Sequence, residues 1–105
     1  MTKCYHIDSI VIVIRNFKDS ETKKLFDGNL SKKFPHEIRK RAQSKLRQLD
    51  SAKSLDDLKL PPSNRLHYLK DDREGQFSIA IDMKYRICFK FENENAFDVE
   101  IVDYH

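Results

Sequence analysis

Residues 85–92 read YRICFKFE, and apolar side chains occupy alternate positions through most of this segment. Successive side chains of a β-strand point to opposite faces of a sheet, so the pattern predicts a strand with one apolar and one polar face. The same period occurs from Phe77 to Ile81 and from Phe97 to Ile101. Short polar links separate the three segments and suit hairpins. The C-terminal part of the chain is therefore predicted to form an antiparallel meander.

The pattern before the meander is that of helices. The apolar residues of the longer predicted helix recur at spacings of four, four and three: Ile38, Ala42, Leu46 and Leu49. This helix is predicted to begin near Pro35 and to bury one stripe. A shorter helix is predicted upstream, capped by Asp19 or Ser20 and ended at Gly28.

The N-terminal part of the chain contains one further strand signal. Ile10 to Ile14 is a run of five β-branched residues, which predicts a strand buried on both faces. The order of a strand, two helices and three to four further strands indicates an α+β domain, with the helices on one face of an antiparallel sheet. A length of 105 residues suits a single domain, residues 1–105.

Charge is unevenly distributed along the chain. The net charge is +3, but residues 1–53 contain 13 basic and 6 acidic side chains, whereas residues 54–105 contain 7 and 11. Residues 32–53 form a basic stripe of eight basic and two acidic side chains. Such a stripe favours attraction to a polyanion. The alternative is an ordinary solvated helix face.

Cysteine usage and hydropathy indicate a reducing compartment and no membrane span. Cys4 and Cys88 are far apart and match no metal or redox spacing. The longest apolar run, Ile10 to Ile14, is five residues, too short to cross a bilayer. We therefore expect a soluble, cytoplasmic protein, and the cysteine spacing gives no indication of a metal or redox cofactor.

Residues that could carry chemistry cluster in the second half of the chain. The sheet face opposite the helices is predicted to be a polar floor, presenting Ser78, Arg86, Cys88, Lys90, Asp98 and Glu100. Close to it in sequence lie His67, Lys70 and Arg73, and the chain ends in Asp103, Tyr104 and His105. Taken singly, these residues are also compatible with a surface histidine, solvated charges and a frayed tail.

Three ordered segments resemble one protein family. RLHYLKDDREGQFSI, residues 65–79, resembles the signature of the HigB-type toxins of the RelE superfamily. Residues 85–92 resemble the penultimate strand of that family, and FDVEIVDYH, residues 97–105, resembles its closing strand. The resemblance begins near Ile14, which leaves residues 1–13 as an N-terminal extension.

The resemblance implies a RelE-like fold and a ribosome-dependent endoribonuclease. Such a toxin cleaves messenger RNA in the A site of the 30S ribosomal subunit, and a HigA-type helix-turn-helix antitoxin neutralises it. Operator DNA would be contacted only through the antitoxin. No metal is implied, because the ribose 2′-OH of the substrate supplies the nucleophile. The alternative is a catalytically silent relative that binds RNA or its antitoxin and acts as a repressor subunit.

The resemblance also assigns site residues. The active-site positions of the family fall on His67, Lys70, Asp103, Tyr104 and His105. Two arginines at matching motif positions are expected to bind substrate, Arg73 and Arg86, and so are three cations of the basic stripe, Lys40, Lys45 and Arg47. The two histidines are expected to transfer protons, since imidazole titrates near neutrality, but which is the base and which the acid stays open. The cationic side chains are suited to binding the phosphate. Tyr104 could orient the 2′-OH, stack on a base or simply pack against the protein. Asp103 could fix the tautomer of a histidine.

Overall fold

The computed structural model describes residues 11–29, 31–70 and 74–103. Within these residues two helices and five strands follow one another as β1 (Val13–Ile14), α1 (Ser20–Phe26), α2 (His36–Ser51), β2 (His67–Tyr68), β3 (Gln76–Ala80), β4 (Tyr85–Glu92) and β5 (Asn95–Asp103). Two short 3₁₀ turns, Leu55–Lys59 and Pro62–Asn64, connect α2 to β2.

The five strands form one sheet in the order β1-β5-β4-β3-β2. Strands β2 to β5 pair antiparallel, and β1 adds parallel to β5 at one edge. The helices cover one face, as predicted for an α+β domain. None of the helices in the described ranges is long and apolar enough to cross a membrane.

The predicted stripe of α2 forms the centre of the core. Ile38, Ala42, Leu46 and Leu49 are all buried. They belong to the same buried cluster as β3 and β4 residues such as Ile79, Ile87 and Phe89. Alternation along β3 and β4 therefore directs the apolar face toward the helices, which confirms the predicted periodicity.

Helix α1 has the predicted ends. The Asp19 carboxylate accepts a hydrogen bond from the Thr22 amide at 3.0 Å and caps the first turn. Gly28 follows the helix with a φ of +89°, a left-handed conformation that glycine adopts without steric cost. The longer helix begins at His36, directly after Pro35, as the sequence predicts.

The N-terminal strand differs from its prediction. Val13 and Ile14 are half-buried at the sheet edge, rather than part of a strand enclosed on both faces. On the side away from β5 no further strand pairs with this segment in the described residues: the Ile12 amide donates to the Ala52 carbonyl at 2.6 Å, and the Ile14 amide donates to Asp50 Oδ1 at 2.8 Å. Ile12 is buried, and Ile10 lies outside the described residues.

A register shift in β5 changes the predicted face of Phe97. Cys88 pairs with Glu100 and Lys90 pairs with Phe97, so β5 contains one extra residue between these two pairs. Asp98 lies in this bulge with a φ of +52°. Phe97 therefore shares a face with Lys90, whereas Val99 and Ile101 belong to the core. The prediction that all three share one face is wrong, because the bulge interrupts the two-residue period.

Candidate active site

Strand β2 places His67 at the edge of the sheet, beside β3. His67 pairs with Ser78, Ser78 pairs with Cys88, and Cys88 pairs with Glu100. Directly paired residues of antiparallel strands have their side chains on the same face. These four residues therefore form a row across the face opposite the helices, and the exposed His67 is at the open end of that row.

The guanidinium of Arg86 is held next to this row by two hydrogen bonds. Arg86 Nε donates to Ser78 Oγ at 2.8 Å, and Arg86 Nη2 donates to the Arg65 carbonyl at 2.7 Å. A guanidinium is planar with five donors in a rigid fork, so two bonds in different directions fix its plane. Because Ser78 pairs with His67 and bonds to Arg86, an imidazole and a cation flank one serine.

The polar floor predicted for this face is closed at its centre. Ser78, Ala80 and Cys88 are buried, and so is Leu69, which follows β2. Cys88 is completely buried within this patch. Arg86 and Glu100 on the same face are half-buried. Polar side chains on this face are therefore accessible only near its edges. His67 and Arg86 lie near one of these edges.

Lys70 lies near His67 at the same sheet edge. The amide of Leu69 donates to the Gln76 carbonyl at 2.8 Å, which continues the pairing of β2 with β3 by one residue. Lys70 follows directly and is exposed.

Asp103 ends β5 on the other face of the sheet. It pairs with Tyr85, whereas Arg86 pairs with Val102, so alternation places Asp103 and Arg86 on opposite faces. Its carboxylate lies 3.9 Å from Lys84 Nζ. The expected residues Arg73, Tyr104 and His105 lie outside the described residues.

The three α2 cations expected to bind substrate do not form a single surface. Lys40 lies with Arg39 and Gln43 along a groove beside α1. Lys45 instead lines a groove beside the β3–β4 turn and donates to Asn64 Oδ1. Arg47 is exposed. Each residue turns an α-helix by about 100°, so positions 40 and 47 lie within about 20° of each other, whereas position 45 points about 140° away from position 40.

Burial and a neighbouring charge perturb Lys45. Partial desolvation lowers its pKa, and the positive charge of Arg41 lowers it further. Both causes act against the ammonium form, so this lysine holds its proton less firmly than a solvated lysine.

Sequence reasoning missed two contributions to the site. Ser78 was expected only as part of the polar face, but its hydroxyl orients Arg86. Arg65 was not singled out, although its carbonyl holds the other side of the same guanidinium. The carbonyl is presented by a residue with a φ of +48°, a conformation uncommon outside glycine that no spacing signals.

The arrangement provides two of the functions that RNA cleavage by the 2′-OH requires. An exposed imidazole can accept or donate a proton near neutral pH. An oriented guanidinium can bind a phosphate through charged hydrogen bonds and stabilise charge that develops there. The site is therefore suited to a phosphodiester substrate.

Comparison with known proteins identifies similar chains. Residues 15–105 match a family model described as the RelE-like toxin of type II toxin-antitoxin system HigB. Endoribonuclease HigB of Proteus vulgaris is 33% identical over 93 residues, which cover 89% of this chain and 100% of that protein. Toxin HigB-1 of Vibrio cholerae is 32% identical over 76 residues, which cover 71% of this chain and 80% of that protein.

Proposed function

Since the chain belongs to the HigB family of RelE-like toxins of type II toxin-antitoxin systems, we propose that it cleaves messenger RNA on the ribosome. The relative named Endoribonuclease HigB covers most of the chain, and the chain is accordingly an endoribonuclease toxin. A toxin of this family has an antitoxin as its partner. Dependence on the ribosome, the mechanism and the kind of antitoxin are the parts that we propose.

The proposed reaction is an attack of the ribose 2′-OH on the adjacent phosphate. The new bond joins O2′ to phosphorus, the bond from phosphorus to the 5′-oxygen breaks, and a cyclic phosphate remains. A base removes the 2′-OH proton, an acid protonates the leaving oxygen, and a cation stabilises the phosphorane. The substrate supplies the nucleophile, so the scheme requires no metal.

His67 and Arg86 carry the proposal, because Ser78 lies beside both of them. We assign His67 to one proton transfer and Arg86 to the phosphorane, with Lys70 as a second cation at the same sheet edge. His105 is proposed for the other proton transfer, with Tyr104 and Asp103 as orienting residues and Arg73 as a further substrate contact. These last assignments rest on the family resemblance.

The proposed partners follow from the same assignment. We propose a HigA-type helix-turn-helix antitoxin, contact with operator DNA only through that antitoxin, and action in the cytoplasm at the A site of the 30S subunit. The cations of α2, including Lys40 and Arg47, are proposed to contact ribosomal RNA or the antitoxin. Lys45 points away from Lys40 and Arg47, which favours contacts on more than one side of the helix.

A cleavage assay with purified components tests the proposal. The toxin is incubated with messenger RNA in the presence and absence of ribosomes, and the new 5′ ends are mapped. We expect the messenger RNA to be cleaved in frame with its codons, and only when ribosomes are present. His67→Ala should lower the rate about 10²- to 10⁴-fold, the usual contribution of general acid-base catalysis. His36→Ala is the matched control, since His36 is exposed at the start of α2, away from β2.

Three outcomes would contradict the proposal at different points. Equal cleavage without ribosomes would refute ribosome dependence. Full activity of His67→Ala would refute the site. Growth arrest on expression that survives both His67→Ala and Lys70→Ala, without truncated transcripts, would instead indicate the catalytically silent relative.

A further inference from the structure

A groove of about 500 Å³ lies beside Arg86, between α2 and the β3–β4 turn. Its walls come from α2, from the segment before β2 and from the end of β3 with the following turn. The lining residues are Arg41, Lys45, Ser63, Arg65, Ala80, Ile81, Asp82 and Met83.

Three cations line this groove: Arg41, Lys45 and Arg65. Arg41 Nη1 donates to the Ile81 carbonyl at 3.4 Å, and Lys45 donates to Asn64 Oδ1. Both acceptors are uncharged oxygens. Among residues 11–29, 31–70 and 74–103, no carboxylate lies within ion-pair distance of Arg41, Lys45 or Arg65. The lining contains three cations and one carboxylate, Asp82, and so carries a net charge of +2.

The acidic residue in the lining is occupied by the turn itself. Asp82 Oδ1 accepts hydrogen bonds from the Lys84 amide at 2.8 Å and from the Tyr85 amide at 2.7 Å. These bonds hold the β3–β4 turn closed. The Asp82 carboxylate is thus hydrogen-bonded to backbone amides of its own turn. Arg41, Lys45 and Arg65 remain available to an external anion.

Like charges held together in this way favour anion binding. Arg41 and Lys45 are neighbours four residues apart on α2, and burial and the charge of Arg41 both lower the pKa of Lys45. An anion between them would relieve the repulsion and form charged hydrogen bonds.

The groove is joined to the candidate active site through Arg65 and Arg86. The Arg65 carbonyl accepts from Arg86 Nη2 at 2.7 Å, and the lining residue Ala80 pairs with Arg86. A strand whose scissile phosphate contacts Arg86 can therefore continue into the groove. At its rim Met83 is 84% exposed, an apolar side chain available to pack against a ribose or a base.

From this geometry we propose that the groove binds a backbone phosphate of the substrate RNA outside the scissile linkage, through Arg41, Lys45 and Arg65. The proposal deepens the proposed function and rests on it. The groove would hold the strand in register while His67 and Arg86 act on the neighbouring linkage.

The test uses a double variant and two matched controls. Arg41→Gln with Arg65→Asn removes two charges, and asparagine tolerates the left-handed backbone of position 65. Arg41→Lys with Arg65→Lys keeps both charges. Lys23→Gln with Lys24→Gln removes two charges from α1, where both lysines pair with acidic neighbours. Unfolding in urea checks that each variant is folded.

Binding is measured on ribosomes programmed with a 2′-O-methylated messenger RNA, which cannot be cleaved, and on the same ribosomes without messenger. We expect the Arg41→Gln, Arg65→Asn variant to bind programmed ribosomes more than about tenfold more weakly than the wild type, since the loss of a single charged hydrogen bond already weakens binding about tenfold. On ribosomes without messenger the two should bind equally. The lysine variant should recover most of the difference, and the α1 control should bind like the wild type.

Equal binding of the double variant and the wild type to programmed ribosomes would overturn the proposal. An equal loss on ribosomes without messenger would assign the groove to ribosomal RNA, and a loss confined to antitoxin binding would assign it to the antitoxin. Either result would also overturn it. Failure of the wild type to cleave unmodified messenger on ribosomes would instead reject the proposed function, while the binding comparison still decides the groove.

Discussion

Ser78 acts on the candidate site through a neighbour. It is buried, and its Oγ accepts from Arg86 Nε at 2.8 Å. A buried serine cannot reach a substrate, so its effect on cleavage depends on the orientation of the guanidinium. Ser78 is thus a positioning residue, whereas Arg86 is proposed to touch the phosphate.

Ser78→Ala is expected to lower the cleavage rate about tenfold, because it removes one hydrogen bond to a charged group. The same substitution in an Arg86→Ala background should have almost no further effect, since the group that it orients is absent. Cleavage rates of the two single variants and the double variant measure this coupling. A tenfold loss in both backgrounds would mean that Ser78 acts independently of Arg86.

Protonation of Asp98 makes the stability of the β5 bulge depend on pH. Asn16 Nδ2 donates to Asp98 Oδ1 at 2.9 Å, and Asn16 Oδ1 accepts from the Asp98 amide at 3.0 Å. The first of these bonds is the main cause that lowers the pKa of Asp98 below its ordinary value of 3.8, with a smaller contribution from Lys90. A lowered carboxyl pKa adds stability that is present above the unfolded pKa and is lost as pH falls through the folded pKa.

We therefore expect the free energy of unfolding of the wild type to decrease as the pH is lowered from about 4 to about 2. The decrease should be smaller in Asp98→Asn. Asparagine keeps an oxygen acceptor and tolerates a positive φ, so the bulge is preserved while the titration is removed. Urea unfolding at a series of pH values gives the comparison. Identical pH dependence in both proteins would show that Asp98 contributes no linkage.

Helix α1 docks on the sheet through a buried hydroxyl. Thr22 is fully buried, donates to Asp19 Oδ1 at 2.7 Å and accepts from the Ile101 amide at 3.1 Å. One side chain thus joins the helix cap to the backbone of β5. A short helix gains little stability from its own hydrogen bonds, so this contact is important for its position.

Thr22→Val is expected to lower the free energy of unfolding by about 1 to 3 kcal/mol, since it leaves the buried Ile101 amide without an acceptor. Thr22→Ser retains the hydroxyl and loses only a methyl group, which costs about 1 kcal/mol. Urea unfolding of both variants measures the difference. If serine were as destabilising as valine, packing rather than the hydrogen bond would hold α1.

The N-terminal limit of the folded unit lies before residue 12. Ile12 is completely buried, and its amide donates to the Ala52 carbonyl at 2.6 Å. Val13 belongs to β1. The last two residues of the predicted 1–13 extension therefore pack with the domain, although the family match begins at residue 15.

A chain without residues 1–14 is expected to have a free energy of unfolding about 2 to 5 kcal/mol lower than a chain without residues 1–10, because removal of a buried isoleucine alone costs that much. Urea unfolding and the ribosome cleavage assay on both truncations test this limit. Equal stability of the two truncated chains would place the boundary after β1.

Charge from both halves of the chain meets in the folded molecule. Arg41 and Lys45 come from the basic first half, and Arg65 from the acidic second half, yet all three line the groove beside Arg86. The stripe of α2 cations expected as one surface is in turn divided between different sides of the helix. Net charge along the sequence therefore describes this surface poorly.

Local patterns were sufficient for the elements of the fold. The spacing from Ile38 to Leu49 identifies α2, and the alternation from Tyr85 to Phe91 identifies β4, because burial of one face imposes the period of the element on the sequence. Motif order similarly pointed to the family, and to His67 and Arg86 as candidates for the site. These properties depend on neighbours within a few residues of each other.

Contacts between residues far apart in sequence determined the geometry of the candidate site and the register of the sheet. Sheet register brings Ser78 between His67 and Arg86, and a left-handed residue turns the Arg65 carbonyl toward the same guanidinium. The bulge at Asp98 moves Phe97 out of the core face. The register between strands is set by packing and hydrogen bonds over the whole sheet. The spacing of residues along the chain therefore does not predict it.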